Sequence, residues 1–181
     1  MHKRSAMFLA ALLVVALAGC GQTGTTSSSS VPSTGSTTVA PATPAAPAAP
    51  TGAAVWTATL STKAYQSWQK APGYDTPQTA KGPHGKQVEI FVDPNIVKTL
   101  AGPAVTTWPT GSKIVKEALD AGGALVGYNY MEKTDQGWFY SFYDPTGKIL
   151  KEGVEVAPCA PCHKTGSDSV KSFKLPGGSG Y

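Results

Sequence analysis

Hydrophobic and polar positions fall into short, separable runs over the second part of the chain. Residues 86–92 alternate, with Val88, Ile90 and Val92 on one side of an extended backbone, which predicts a strand. Lys113–Leu119 repeats that pattern weakly. Residues 124–133 make a longer strand, with Ala124, Val126, Tyr128 and Tyr130 facing one way and Leu125, Asn129 and Met131 the other. Thr134-Asp135-Gln136-Gly137 reads as a hairpin turn into a returning aromatic strand at 138–143. Asp144-Pro145-Thr146-Gly147 is a second turn before a strand that starts at 148–150. Two short helices complete the pattern. One is predicted over 61–70, capped by Ser61, stopped by Pro72, with Leu60, Ala64, Tyr65 and Trp68 on one face; the other covers Pro94–Leu100 and ends at Gly102-Pro103. Sequential strands joined by tight turns give an α+β class, mainly antiparallel β-sheet with a few helices packed on it.

The first 55 residues follow other rules. His2, Lys3 and Arg4 precede an apolar run from Met7 to Leu17, shorter than a bilayer-spanning helix needs, and the run ends in Leu17-Ala18-Gly19-Cys20. That tetrapeptide resembles the bacterial lipobox. We therefore expect a lipoprotein signal peptide at 1–19, a lipidated Cys20 as membrane anchor, and a location on the periplasmic side of the cell envelope. Gly21, where an inner-membrane lipoprotein often has Asp, favours the outer membrane. Residues 21–55 carry no charge and consist almost wholly of Ser, Thr, Ala, Pro and Gly. Such a segment has too little to bury to fold alone, so 20–55 is expected to be a disordered tether reaching about 100 Å when extended. A folded domain is expected over 56–181.

Charge narrows the function. The formal net charge is +4, but Lys3 and Arg4 belong to the leader, leaving 13 lysines and no arginine against 11 carboxylates. These lysines are interspersed with acids, unlike the basic, arginine-bearing stripe of a nucleic-acid binder, so no nucleic-acid partner is expected.

The chemistry is concentrated in Cys159-Ala160-Pro161-Cys162-His163. C-x-x-C-H is the signature of c-type haem attachment. Two thiols at this spacing can reach the two vinyl groups on one porphyrin edge, and the following imidazole can ligate the iron. Cys159, Cys162 and Cys20 are the chain's three cysteines. One covalent haem c is thus expected, with Cys159 and Cys162 as thioethers and His163 as proximal iron ligand. A thioredoxin-like pair would need a βαβ context, which does not precede Cys159. A zinc site needs about four ligands, for which only His84 and carboxylates remain; a structural disulfide is the third alternative. For the iron's sixth position the census is short: His84 or Met131. The plain role of His84 is a loop hydrogen bond, that of Met131 core packing. If neither binds, the iron is open to a small ligand, and Tyr128, Tyr130, Trp138, Phe139, Tyr140, Phe142 and Tyr143 could supply a dry pocket.

Several stretches together resemble the cytochrome P460 family, whose fold is shared by the cytochromes c′-beta. They are the opening segment with Tyr65 and Trp68, Pro83-His84-Gly85 leading into Val88-Glu89-Ile90-Phe91-Val92, Pro109-Thr110-Gly111-Ser112-Lys113-Ile114-Val115-Lys116-Glu117, Gly137-Trp138-Phe139-Tyr140, and the C-terminal haem motif followed by Asp168. The likeness covers about 61–173. It implies a small antiparallel sheet packed against helices, a haem on the sheet face, a five-coordinate iron and often a homodimer. P460 enzymes oxidise hydroxylamine and carry a lysine joined to the porphyrin, for which Lys116 is the candidate and Lys113 and Lys133 the alternatives. The c′-beta members bind nitric oxide or carbon monoxide without that bond. Hydroxylamine oxidation calls for a distal acid–base group, and no carboxylate lies between Trp138 and Tyr143. The favoured expectation is therefore a ligand-binding haem that exchanges electrons with a periplasmic redox partner. The alternatives are a P460-type oxidoreductase and a plain electron carrier with Met131 or His84 as sixth ligand.

Overall fold

The structure, a computed structural model, describes residues 48–176. The leader, Cys20 and most of the tether lie outside the described residues. Seven strands make one sheet: β1 (Gln69–Lys70), β2 (Gln78–Thr79), β3 (Gln87–Val92), β4 (Lys113–Leu119), β5 (Leu125–Thr134), β6 (Gly137–Tyr143) and β7 (Ile149–Val154). The order is β1-β3-β4-β5-β6-β7, with β2 also paired to β3, and every pairing is antiparallel. Because β4 occupies one whole edge of β3, β1 and β2 share its other edge end to end. Three short α-helices accompany the sheet: α1 (Gly52–Val55), α2 (Pro94–Leu100) and α3 (Cys159–His163). The α+β class and the dominant antiparallel sheet follow the pattern of the sequence.

Local chemistry explains most element ends. The Asp93 carboxylate accepts from the Ile96 backbone N–H at 3.1 Å, and Pro94 opens α2 where its missing N–H costs nothing. The Asp144 carboxylate accepts from the N–H groups of Thr146 and Lys148 and so fixes the turn into β7.

The register sorts side chains onto two faces. Val88, Ile90, Val92, Ile114, Lys116, Met131, Asn129, Trp138, Tyr140 and Phe142 share one face; Phe91, Val115, Tyr128, Tyr130, Phe139 and Tyr143 share the other. Both are covered. On the first, Ile96 of α2, Trp108, Ala160 of α3, Val170, Phe173 and Leu175 join Ile90, Val92, Ile114, Met131, Trp138 and Tyr140 in one core. On the second, Val55, Leu60 and Tyr65 close over Phe91, Val115 and the tyrosines. A fully buried large apolar side chain contributes about 1.5–3 kcal/mol, so burial on both faces, rather than ladder hydrogen bonding, dominates the stability of so small a sheet.

Three details depart from the pattern of the sequence. The helix expected over 61–70 lies earlier: α1 continues through a π-helical turn at Trp56–Leu60, Lys63 enters the left-handed region (φ 54°), a 3-10 turn covers Ala64–Ser67, and the chain is already a strand at Gln69. Leu60 and Tyr65 are buried as expected; Ala64 is exposed. Gly52 and Val55, on the tether side of the expected boundary at 56, are buried, since the Tyr143 hydroxyl donates to the Gly52 carbonyl at 2.9 Å. Finally, the β4–β5 register shifts between Ala118 and Leu119, so Leu125 joins the tyrosine face and Val126 is left exposed.

Gly147 has φ 93° and lies under the Trp56 ring, which packs against Tyr128 and Tyr143. Gly147→Ala therefore meets both an unfavourable backbone region and the indole, and is expected to cost about 2 kcal/mol. Urea unfolding followed by tryptophan fluorescence checks this; an unchanged midpoint would contradict the packing of the 52–60 segment on the sheet.

Candidate functional site

The first sheet face is not closed everywhere. Beside the core of Trp138 and Met131, a narrow cleft of about 40 Å³ opens over Lys116 of β4, Asn129 of β5 and Phe142 of β6, and it is walled by Tyr140, Met131, His84, Cys159 and His163. A second, more open cleft of about 650 Å³, within the roughly 300–1,000 Å³ of cofactor-sized pockets, adjoins it, sharing His84, Lys116, His163 and Ser172. Cys159 lines the first cleft and Cys162 the second. Helix α3 thus presents its two thiols and its imidazole to adjoining spaces. Both thiols are free, Cys159 partly buried and Cys162 exposed, and Lys171 Nζ donates to the Cys162 carbonyl at 2.8 Å.

His163 is held tightly. Only 7% of its surface is exposed, and Nδ1 donates to the Ser169 carbonyl at 3.0 Å. That bond fixes the tautomer and leaves Nε2 with its lone pair and no hydrogen bond. Burial first, with Lys116 and Lys171 also lowering it, brings its pKa down to about 4, although the Ser169 bond pulls the other way; the ring is neutral at pH 7. Tyr140 stands edge-on at 5.4 Å.

The Ser169 carbonyl is aimed by an unusual turn. Asp168 (φ 42°) and Ser169 (φ 65°) are both left-handed, closing a bridge between Ser167 and Val170. Asp168 holds this turn to the sheet. Its carboxylate accepts from Lys133 Nζ at 2.7 Å, the Trp108 N–H at 2.8 Å and the Thr107 hydroxyl at 3.0 Å, and its carbonyl accepts from Trp138 Nε1 at 2.8 Å.

The remaining sequence candidates separate. Of the three lysines, Lys116 alone lines the cleft, while Lys133 is paired with Asp168 and Lys113 lies 3.9 Å from Glu132. Lys116 Nζ donates to the Ser172 hydroxyl at 3.1 Å, and burial, then Lys171, lowers its pKa to about 8. Met131 is buried on the cleft face between Ile114 and Tyr140. Of the aromatics, Tyr140 and Phe142 line the cleft, Tyr130 borders it while its side chain belongs to the opposite-face core, Trp138 lies in the core beside it, and Tyr128, Phe139 and Tyr143 pack on the opposite face. Two residues not singled out from sequence as site residues belong here: Asn129, whose Oδ1 accepts from His84 Nδ1 at 2.9 Å, and Ser169. Asn129 was legible as one polar residue on an otherwise apolar strand face; nothing in the sequence marks a backbone carbonyl. Among the described residues no group of three or more His, Cys, Asp or Glu is gathered to hold a bare metal ion, and no helix is long and apolar enough to cross a membrane. No protein-family model matches the chain, and no curated protein matches it in sequence.

Burial pushes the Asp168 carboxyl up, but the bonds from Lys133, Trp108 and Thr107 outweigh it and hold its pKa below the usual range. A depressed carboxyl contributes stability above its unfolded pKa and loses it as pH falls through the folded value. Asp168→Asn should therefore cost about 1.5–3 kcal/mol at pH 7 and less near pH 3. Urea midpoints at both values test this; equal losses would remove the ionised carboxylate from the account.

Proposed function

We propose that this chain is a monohaem c-type cytochrome of the P460/c′-beta type, held at the periplasmic side of the envelope, in the outer membrane, through a lipidated Cys20. Its haem c binds or redox-processes a small ligand such as nitric oxide, carbon monoxide or a small nitrogen compound. The observation that carries the reading is the single five-residue helix whose two thiols and unbonded Nε2 face adjoining clefts.

The donor set and the clefts fit such a group. Cys159 and Cys162 would each add S–H across one vinyl group, and His163 would ligate iron through Nε2 while its Nδ1–H···O=C bond raises its basicity. Asn129 Nδ2 is buried without a partner on a side chain that lines the first cleft, as expected where a further group belongs. The second cleft is lined by Lys81, Lys116, Lys171 and Lys174 and by no carboxylate, which suits the two propionates of a haem. Bound haem would supply a one-electron couple and an exchangeable coordination position. Met131, Tyr140 and Phe142 would keep water from that position. Electrons would pass to a periplasmic redox partner, and the family likeness supports a homodimer.

One observation favours a second reading, the P460-type hydroxylamine oxidoreductase with a lysine–haem cross-link. Lys116 lines both clefts, and its lowered pKa makes the neutral, nucleophilic amine accessible. The plain electron carrier would use His84, which lines both clefts, as sixth ligand.

Protein made with c-type maturation should give a pyridine haemochrome band that survives acid–acetone extraction, and the peptide bearing Cys159 and Cys162 should carry one haem mass. Cys159→Ser with Cys162→Ser should lose both; a band retained by the double variant, or none in the parent, would end the proposal. The reduced protein should take up carbon monoxide with a shifted Soret band. A haem mass linking the Lys116 peptide would select the oxidoreductase.

A further inference from the structure

The imidazole of His163 does not face an empty wall. Across the cleft stands His84, with ring centroids 6.3 Å apart and planes 75° apart. Its loop is positioned from the sheet. Gly82 and Gly85 take φ 104° and 91°, a Cβ at Gly85 would lie 2.7 Å from the Leu119 carbonyl oxygen, and the Lys86 N–H donates to that carbonyl at 2.7 Å. The ring itself is set by Asn129, which projects from the centre of β5 and accepts from Nδ1. His84 and His163 are therefore prepared alike: one nitrogen of each is tied to an oxygen, and Nε2 of each makes no hydrogen bond. Two imidazoles sharing a metal through ε nitrogens at about 2.0–2.1 Å hold their centroids about 6 Å apart. Met131 lies locked in the sheet between Ile114 and Tyr140, while His84 rides on a loop whose residues 81–83 and 85 are exposed.

We infer that His84, oriented by Asn129, is the resting sixth ligand of the haem iron, and that a diatomic ligand binds by displacing it. This rests on the haem reading above and departs from the five-coordinate iron that the family likeness implies. Asn129 acts through His84 as a positioning residue. Entry of nitric oxide or carbon monoxide is then set by how often His84 leaves, a step that involves a glycine-flanked loop and leaves the sheet intact.

Optical and electron paramagnetic resonance spectra of the holoprotein test this. The parent should be low-spin when ferric, without a methionine–iron charge-transfer band. His84→Ala should become high-spin, return to low-spin with millimolar imidazole, and bind carbon monoxide at least tenfold faster when reduced. Asn129→Ala should give a mixed spin population and a faster carbon monoxide rate, and Met131→Leu should stay low-spin. A high-spin parent, an unchanged His84→Ala spectrum, or a spin switch in Met131→Leu alone would overturn the assignment. The pyridine haemochrome assay on the same samples separates the failures: its absence removes the haem reading and this inference together, whereas its presence with any of those spectra removes only the role of His84.

Discussion

One carboxylate holds the candidate site together. Asp168 is one of the points where the C-terminal segment is attached to the sheet, alongside the bond from Lys116 Nζ to the Ser172 hydroxyl. Lys133 reaches Asp168 from β5, the Trp108 backbone and Thr107 from the segment before β4, and Trp138 of β6 closes on its carbonyl. Charge-assisted bonds of this kind are roughly twice as strong as neutral ones. They sustain two consecutive left-handed residues that the backbone would otherwise disfavour. The result is a carbonyl at Ser169 aimed at Nδ1 of His163. The orientation of the imidazole is thus set by a carboxylate five residues away, and the five-residue helix that carries it need not be rigid by itself.

The sheet was legible because its signals are local. Alternation defined β3 and β5, turn residues defined both hairpins, and the helix expected over Pro94–Leu100 matches α2 to the residue. The helix at 61–70 was misplaced because Ser61 reads as a cap while Lys63, with nothing unusual in its side chain, adopts φ 54° under tertiary constraint. The bulge opposite Leu119 was invisible for the same reason: Leu125 and Val126 are both apolar, and only packing decides which is buried. At the site, the C-x-x-C-H spacing put two cysteines and a histidine together on one short helix. The distance between His84 and His163, 79 positions apart in sequence, is a product of topology and carries no local signature.

Charge distribution explains why these groups sit together. Lys116 lowers the pKa of both histidines, and Lys171 lowers that of Lys116. Four lysines around one cleft with no carboxylate among its lining residues is an unfavourable arrangement for an isolated chain, since like charges repel where screening is poor. It becomes favourable once an anionic group lies among them. A dianionic cofactor would turn this repulsion into attraction while the imidazoles stay neutral, which is the form in which they ligate metals.

The two sides of the cleft differ in what holds them. His163 hangs from a turn anchored by a carboxylate and packed against Val170, Phe173 and Tyr140. His84 hangs from an exposed loop and one amide, Asn129, whose own Nδ2 has no partner. A neutral hydrogen bond contributes about 0.5–1.5 kcal/mol net, far less than the set of bonds behind His163. Displacement at such a site would therefore proceed on one side only. The two cysteines that would tether a haem lie on the strong side, and the weak side would be the one that faces an incoming ligand. Ligand discrimination would then depend on how strongly each competitor binds relative to an imidazole, with Phe142 and Met131 restricting its size.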